Sequence, residues 1–215
     1  LAGEANNITA SGSVTFAAGS GFTSSGTQAL IMTGNATNLT SGGKQLRNLT
    51  VREMVTATDN LSLAADLTLD MAASQLTAQA AVTVAGLVDI SNGSASVAGT
   101  TMVTGTTSLS NAGALTLNGN STLMSAVSGA NSSVLTVTNG TSFGAGASFT
   151  ETATWNATGA NYTLNFNDGS TYAFALNTTL NLNGGSPPIQ MRSATPGMQY
   201  NFDVDNTGGT LTLDR

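Results

Sequence analysis

The acids are the residues of this chain best able to do chemistry. Asp59, Asp66, Asp70 and Asp89 are the densest set, with Arg52 and Glu53 nearby in sequence. Lined up along one groove, such acids with an arginine would suit polysaccharide cleavage, because glycoside hydrolysis needs one carboxyl as acid and a second as base or nucleophile. No two of these aspartates are adjacent, however, and the chain has no histidine. The commonest general base and the commonest transition-metal ligand are therefore missing. There is no cysteine either, which removes disulfides and Cys-based zinc sites. We read the chain as non-enzymatic, with no catalytic residue and no cofactor, and keep a β-helical polysaccharide-active enzyme as an alternative.

Two further stretches offer oxygen donors that could hold calcium: Asp203 and Asp205 on one strand face, and Asp168 after Asn165 and Asn167. No loop carries a full calcium-loop pattern, and Asp and Asn are also the ordinary residues of solvated turns. Asparagine offers another chemistry. Twelve Asn-x-Ser/Thr sequons occur, at Asn7, Asn35, Asn38, Asn48, Asn60, Asn92, Asn120, Asn131, Asn139, Asn156, Asn161 and Asn177. That is about twice the number chance placement would produce, and each is a candidate glycosylation site. Polar residues at i and i+2 share the outer face of a strand, so alternation alone also manufactures sequons. Finally, Thr77, Ser96, Thr116 and Thr136 would stack as a small hydroxyl ladder if strands repeat at their spacing. A flat threonine array can order ice, but an ordinary solvated face is the simpler reading.

What must position these residues is a repeat. Apolar–polar–apolar triplets recur every six or seven residues: Leu61-Ser62-Leu63, Leu67-Thr68-Leu69, Val82-Thr83-Val84, Val88-Asp89-Ile90, Leu115-Thr116-Leu117 and Leu135-Thr136-Val137. Their middles chain at steps of 21, 21, 19, 20 and 20, from 62 to 83, 68 to 89 and 77 to 96 to 116 to 136. A strand sends alternate side chains to opposite faces, so each triplet turns two apolar residues inward and one polar residue out. Three short strands per roughly 20-residue coil is the pattern of an all-β parallel β-helix, or β-solenoid. The 215 residues give about ten coils and a rod roughly 50 Å long at a strand spacing near 4.8 Å.

We expect one β-helix domain over 1–215. Early strands are expected at Ser13–Phe16, Ala29–Met32 and Asn48–Val51, and the repeat is cleanest over 61–142. Residues 143–183 differ. Phe143, Phe149, Trp155, Tyr162, Phe166, Tyr172 and Phe174 crowd there, out of 7 Phe, 3 Tyr and 1 Trp in all. Either Asn167-Asp168-Gly169 turns a hairpin between Tyr162–Phe166 and Tyr172–Leu176, or the coil widens around larger core side chains. The aromatics would also suit a sugar platform, although core filling is the simpler role. The section 184–215 contains Pro187, Pro188 and Pro196, with 184–199 expected as loop or coil edge, before alternation returns at Tyr200–Val204 and Thr210–Leu213.

Two segments carry a resemblance. Ser41-Gly42-Gly43-Lys44-Gln45-Leu46-Arg47-Asn48-Leu49-Thr50-Val51 resembles a motif that recurs in large secreted β-helical proteins of environmental microbes. Pro188-Ile189-Gln190-Met191-Arg192-Ser193-Ala194-Thr195-Pro196-Gly197-Met198-Gln199-Tyr200 is similar to a second one. The repeat style also resembles filamentous-haemagglutinin and autotransporter passenger domains. The resemblance implies an adhesin, matrix or surface-layer component, and its motifs carry no catalytic residues.

Composition sets the partners. Charged residues are 7% of the chain and the net charge is −6, with one lysine, Lys44, and no basic cluster. Nucleic acid and anionic membrane are not expected partners, and no apolar run is long enough to insert in a bilayer. The chain begins at Leu1 and reads as a mature or excised piece of a secreted precursor, extracellular or at a cell surface. Neither Leu1–Ser11 nor Gly208–Arg215 looks like a charged cap. We therefore expect self-association, end to end or by strand donation, with glycans as further partners. The functional expectation is a structural subunit or segment of a filament, surface layer or biofilm matrix, with a carbohydrate-binding adhesin module as the first alternative.

Overall fold

Alternation places the core. A computed structural model describes residues 7–17, 27–205 and 210–214. Of the two end segments, 1–6, 208–209 and 215 lie outside the described residues. Leu61, Leu63, Leu67, Leu69, Val82, Val84, Leu115 and Leu117 are all buried, while Ser62, Thr68, Thr83, Asp89, Thr116 and Thr136 between and beside them reach solvent. Every strand pairing among the described residues is parallel, and from Gln45–Leu46 to Gln190–Ser193 each coil adds one strand to each of three sheets.

The first sheet stacks 10 strands: Ile8–Ala10, Ala29–Met32, Asn48–Val51, Leu67–Leu69, Val88–Ile90, Thr107–Leu109, Val127–Gly129, Ala147–Phe149, Thr171–Phe174 and Asn201–Val204. The second also stacks 10: Val14–Thr15, Thr37–Thr40, Met54–Ala57, Gln75–Ala78, Ser94–Val97, Ala114–Leu117, Val134–Val137, Thr154–Gly159, Thr179–Gly184 and Thr210–Asp214. The third has 8: Gln45–Leu46, Leu61–Leu63, Val82–Val84, Thr101–Val103, Ser121–Leu123, Thr141–Phe143, Thr163–Phe166 and Gln190–Ser193. The fold is a parallel β-solenoid of three sheets with about 20 residues between stacked positions, and the described residues contain no helix.

Size matching in the stacked columns fills the core. In one column of the first sheet Leu109, Gly129 and Phe149 lie in register. A Cβ on Gly129 would stand 2.6 Å from the Phe149 ring, so glycine there makes room for the large neighbour. From Phe143 onward the core turns aromatic. Phe143 stacks on Phe166 at 5.6 Å, Phe149 on Phe174 at 5.3 Å, and Trp155 packs beside that second pair, 5.8 Å from each ring. Wider coils accommodate this. The pair Ser142 and Asn165 is 23 residues apart and the pair Asn156 and Asn181 is 25, against 20 for Asn111 and Asn131.

The two arrangements expected for this section are distinguished by pairing. Thr163–Phe166 joins the third sheet and Thr171–Phe174 the first, each parallel to its predecessor. Asn167–Ser170 is thus a coil corner, not a hairpin turn. The ladder bonds of both strands go to neighbouring coils and leave none for each other. The section 184–199 also departs from expectation. A strand, Gln190–Ser193, lies within it, and Thr179–Gly184 extends to its first residue, with the prolines outside both. Proline breaks a ladder only where its own N–H is needed.

Candidate functional site

The third sheet carries an open trough of about 550 Å³. Its floor is the outward column Thr83, Met102, Thr122, Ser142 and Asn165, which the ladder holds in register coil by coil. One rim is the corner between the second and third sheets, where Thr100, Asn120, Asn139, Gly140 and Asn161 protrude. None of the residues lining the trough is an Asp, Glu, Lys or Arg.

The rim is fixed locally. Asn139 Oδ1 accepts the Gly140 N–H at 2.8 Å, and its Nδ2 donates to the Asn118 carbonyl at 3.4 Å in the coil before. Asn165 Nδ2 donates to Ser142 Oγ at 3.3 Å. At the wide end, Gly159 (φ 116°) and Asn161 (φ 61°) swing the corner outward, and the Asn161 N–H donates to the Pro187 carbonyl at 2.9 Å. The Tyr162 hydroxyl donates toward the carbonyls of Thr158 at 3.1 Å and Val137 at 3.3 Å. Burial pushes its pKa up to about 12, so it stays neutral.

The acids singled out by spacing do not converge. Asp59 sits at a corner, where its carboxylate accepts from the Ser41 N–H (2.7 Å), the Ser41 hydroxyl (3.0 Å) and the Gly42 N–H (2.8 Å). Burial alone would raise its pKa. The bonds from Ser41, Gly42 and Gly43 outweigh that and hold it below the usual carboxylate range. Gly42 needs φ 60° here, and a Cβ on it would stand 2.1 Å from the Phe16 carbonyl. The head of the first motif, Ser41-Gly42-Gly43, is therefore a backbone nest for an aspartate one coil later. Asp66 is also structural, its Oδ1 accepting the Leu87 N–H at 2.8 Å. On the first sheet Arg52 pairs with Asp70 at 3.4 Å, exposed to solvent. Burial, and then the charge of Asp70, raise the pKa of Asp89. Register thus brings Asp70, Asp89 and Arg52 to one neighbourhood and leaves Asp59 and Asp66 outside it.

The calcium candidates are likewise divided. Asp203 and Asp205 line a depression of about 460 Å³ with Ser148 and Ala173, while Asp168 is not part of it. Asp168 accepts the Ser193 hydroxyl and, at 3.2 Å, the Thr195 N–H, tying the second motif to the preceding coil. The hydroxyls of Ser193 and Thr195 lead in holding its pKa below the usual range. Among the described residues no three Asp, Glu, His or Cys gather as a metal site would require.

Of the sequons, Asn7, Asn35, Asn38, Asn60, Asn92, Asn120, Asn131, Asn161 and Asn177 are exposed, and Asn48, Asn139 and Asn156 are half-buried. Several are engaged as ladders between coils: Asn48 Nδ2 to the Gln28 carbonyl, Asn131 Nδ2 to Asn111 Oδ1, and Asn181 Nδ2 to Asn156 Oδ1. Asn120, Asn139 and Asn161 line the trough. The hydroxyl ladder Thr77, Ser96, Thr116 and Thr136 is present on the second sheet, with Thr56 before it and Asn156 and Asn181 after. Seven of the aromatics, Phe143 to Phe174, are buried and form no exposed platform.

Sequence reasoning did not find the trough, because its lining is gathered from five successive coils and no local pattern marks it. The available signal was the recurrence of Asn and Gly at the rim corner, in Asn118-Gly119-Asn120 and Asn139-Gly140. Comparison with protein families, curated proteins and solved structures yields no match for this chain.

Proposed function

We propose that this chain is a non-enzymatic structural segment of an extracellular assembly, in the manner of the secreted β-helical surface and matrix proteins its two motifs resemble. The observation that supports the reading is the unbroken parallel stacking of the three sheets, a rod whose edges accept further strands from another copy or from further coils of a longer chain. The three sheets run unbroken and stop at Gln190–Ser193, Asn201–Val204 and Thr210–Asp214, onto which no further strand pairs among the described residues. Ile189, Met191, Tyr200, Phe202 and Val204 are only partly buried at that end. Such edges pair readily with another chain, and the low charge opposes contact weakly. Coil stacking or strand donation between copies would satisfy both the ladder and the apolar end, as would further coils of a longer chain.

Light scattering across a concentration series, with negative-stain images, tests this. The mass should rise with concentration and the rods should exceed the ~50 Å of one chain. Met191→Lys, which sets a charge on the end face, should return the material to monomers. A wild-type chain that stays monomeric at high concentration overturns the assembly reading. The absence of catalysis is tested separately. Reducing-end assays on common polysaccharides should show no turnover, and turnover abolished by Asp89→Asn would favour the enzyme instead.

A further inference from the structure

We propose that the trough on the third sheet binds a neutral polysaccharide strand laid along the axis of the coil. The inference does not depend on self-assembly, since the trough lies within one chain. Its shape comes first. The lining runs from Val82 to Asn165 and takes in five successive coils. At the spacing of parallel strands this is a length of roughly 20 Å. An open channel of that length suits a polymer, whereas small molecules favour enclosed apolar clefts.

The chemistry selects the class. Thr83, Thr100, Thr122 and Ser142 offer hydroxyls, and Asn120, Asn139, Asn161 and Asn165 offer carboxamides. Each of these groups both donates and accepts, as sugar hydroxyls do. With no ionic side chain in the lining, a charged polymer would lose water there without gaining a counter-charge. Second in the floor column stands Met102, 44% exposed, an adaptable apolar contact for the C–H face of a sugar ring. The depression beside Asp203 and Asp205 and the one containing Arg47 and Asp66 lack this uniformity.

Periodicity supplies affinity. A polymer with a short repeat meets a similar set of polar groups at every coil, so weak contacts act together. The Asn139 amide is already held by Gly140 and Asn118, so less freedom is lost on binding. Binding should therefore strengthen with oligosaccharide length until the roughly 20 Å trough is spanned.

The test uses the full chain produced without glycosylation, its mass confirmed, at concentrations where it is monomeric. Calorimetry and affinity electrophoresis measure cellohexaose, laminarihexaose, xylohexaose and, as the anionic comparison, polygalacturonate. At least one neutral hexasaccharide should bind, more tightly than its trimer, and polygalacturonate should not. Thr122→Arg and Ser142→Arg change outward floor positions and should weaken binding about tenfold or more. Thr116→Arg and Thr136→Arg, on the second sheet, should leave it unchanged, with all four variants melting near the wild type. Failure of all three neutral probes, preference for polygalacturonate, or equal loss in the second-sheet variants overturns the proposal. N-glycans found on Asn120, Asn139 or Asn161 of native material would also overturn it, because the chain's own sugar would then fill the trough. Retained binding by a strictly monomeric chain would support this proposal while counting against self-assembly, so the two can fail separately.

Discussion

Trp155 offers the sharpest test of how the wide coils are held together. Its side chain is fully buried, packed beside the stacked Phe149 and Phe174 rings at 5.8 Å from each and edge-on to Phe143 at 5.0 Å. Its indole Nε1–H is buried with no hydrogen-bond partner. The two facts pull in opposite directions. Truncation to alanine removes the ring contacts and leaves a cavity, a loss of about 3–5 kcal/mol. Trp155→Phe keeps most of the stack. It forfeits some area, worth about 1 kcal/mol at ~25 cal/mol per Å², but removes a buried donor whose lost solvation costs about 1–3 kcal/mol. Trp155→Phe should therefore fall within about 1 kcal/mol of the wild type, and Trp155→Ala far below it. Urea unfolding followed by far-UV circular dichroism measures both, since Trp155 is the one tryptophan and its fluorescence is lost in each variant. Solenoids can unfold in parts, so amide exchange in the strand Thr154–Gly159 should report the same ranking. A Phe variant as unstable as the Ala variant would refute the reasoning, because the indole N–H would then be contributing rather than costing.

Leu117 is fully buried in register with Val97 and Val137, and Leu117→Asp places an unpaired charge there. It should cost about 3–5 kcal/mol, and an unchanged melting temperature would contradict the inward assignment. Thr152 has a β-branched side chain at φ 60°, in a corner closed by the Ala153 N–H donating to the Thr150 carbonyl. Thr152→Gly should gain about 1 kcal/mol in urea unfolding despite losing the exposed contact with Ser132. The lowered pKa of Asp59 fixes the sign of its pH effect. The unfolded chain takes up the proton first, so the stability Asp59 contributes is fully present above about pH 3.8 and is lost as pH falls through the folded value. Asp59→Asn should be less stable than the wild type at neutral pH, and acid titration should close that gap below the unfolded value; a gap independent of pH would show that the nest does not hold the charge.

Alternation was legible from the chain alone because it is a local property. Leu61-Ser62-Leu63 and Val88-Asp89-Ile90 have one arrangement that buries both apolar residues, and period two dictates it. The recurrence near 20 residues then implied parallel stacking, since each triplet needs an equivalent neighbour above and below. Where hydropathy is ambiguous, the neighbours decide. Thr101-Met102-Val103 turns its threonine inward and its methionine out, because Thr101 must follow the column of Val82 and Ser121. The Thr101 hydroxyl is buried without a partner as a result. Asn167-Asp168-Gly169 has the composition of a hairpin turn, and only the pairing of each flanking strand with other coils makes it a corner. Long-range register likewise set Asp70 beside Asp89 and turned Ser41-Gly42-Gly43 into the partner of Asp59. The trough belongs wholly to tertiary structure. Its residues are ordinary Thr, Ser and Asn, and only the stacking of five coils brings positions from Val82 to Asn165 onto one lining.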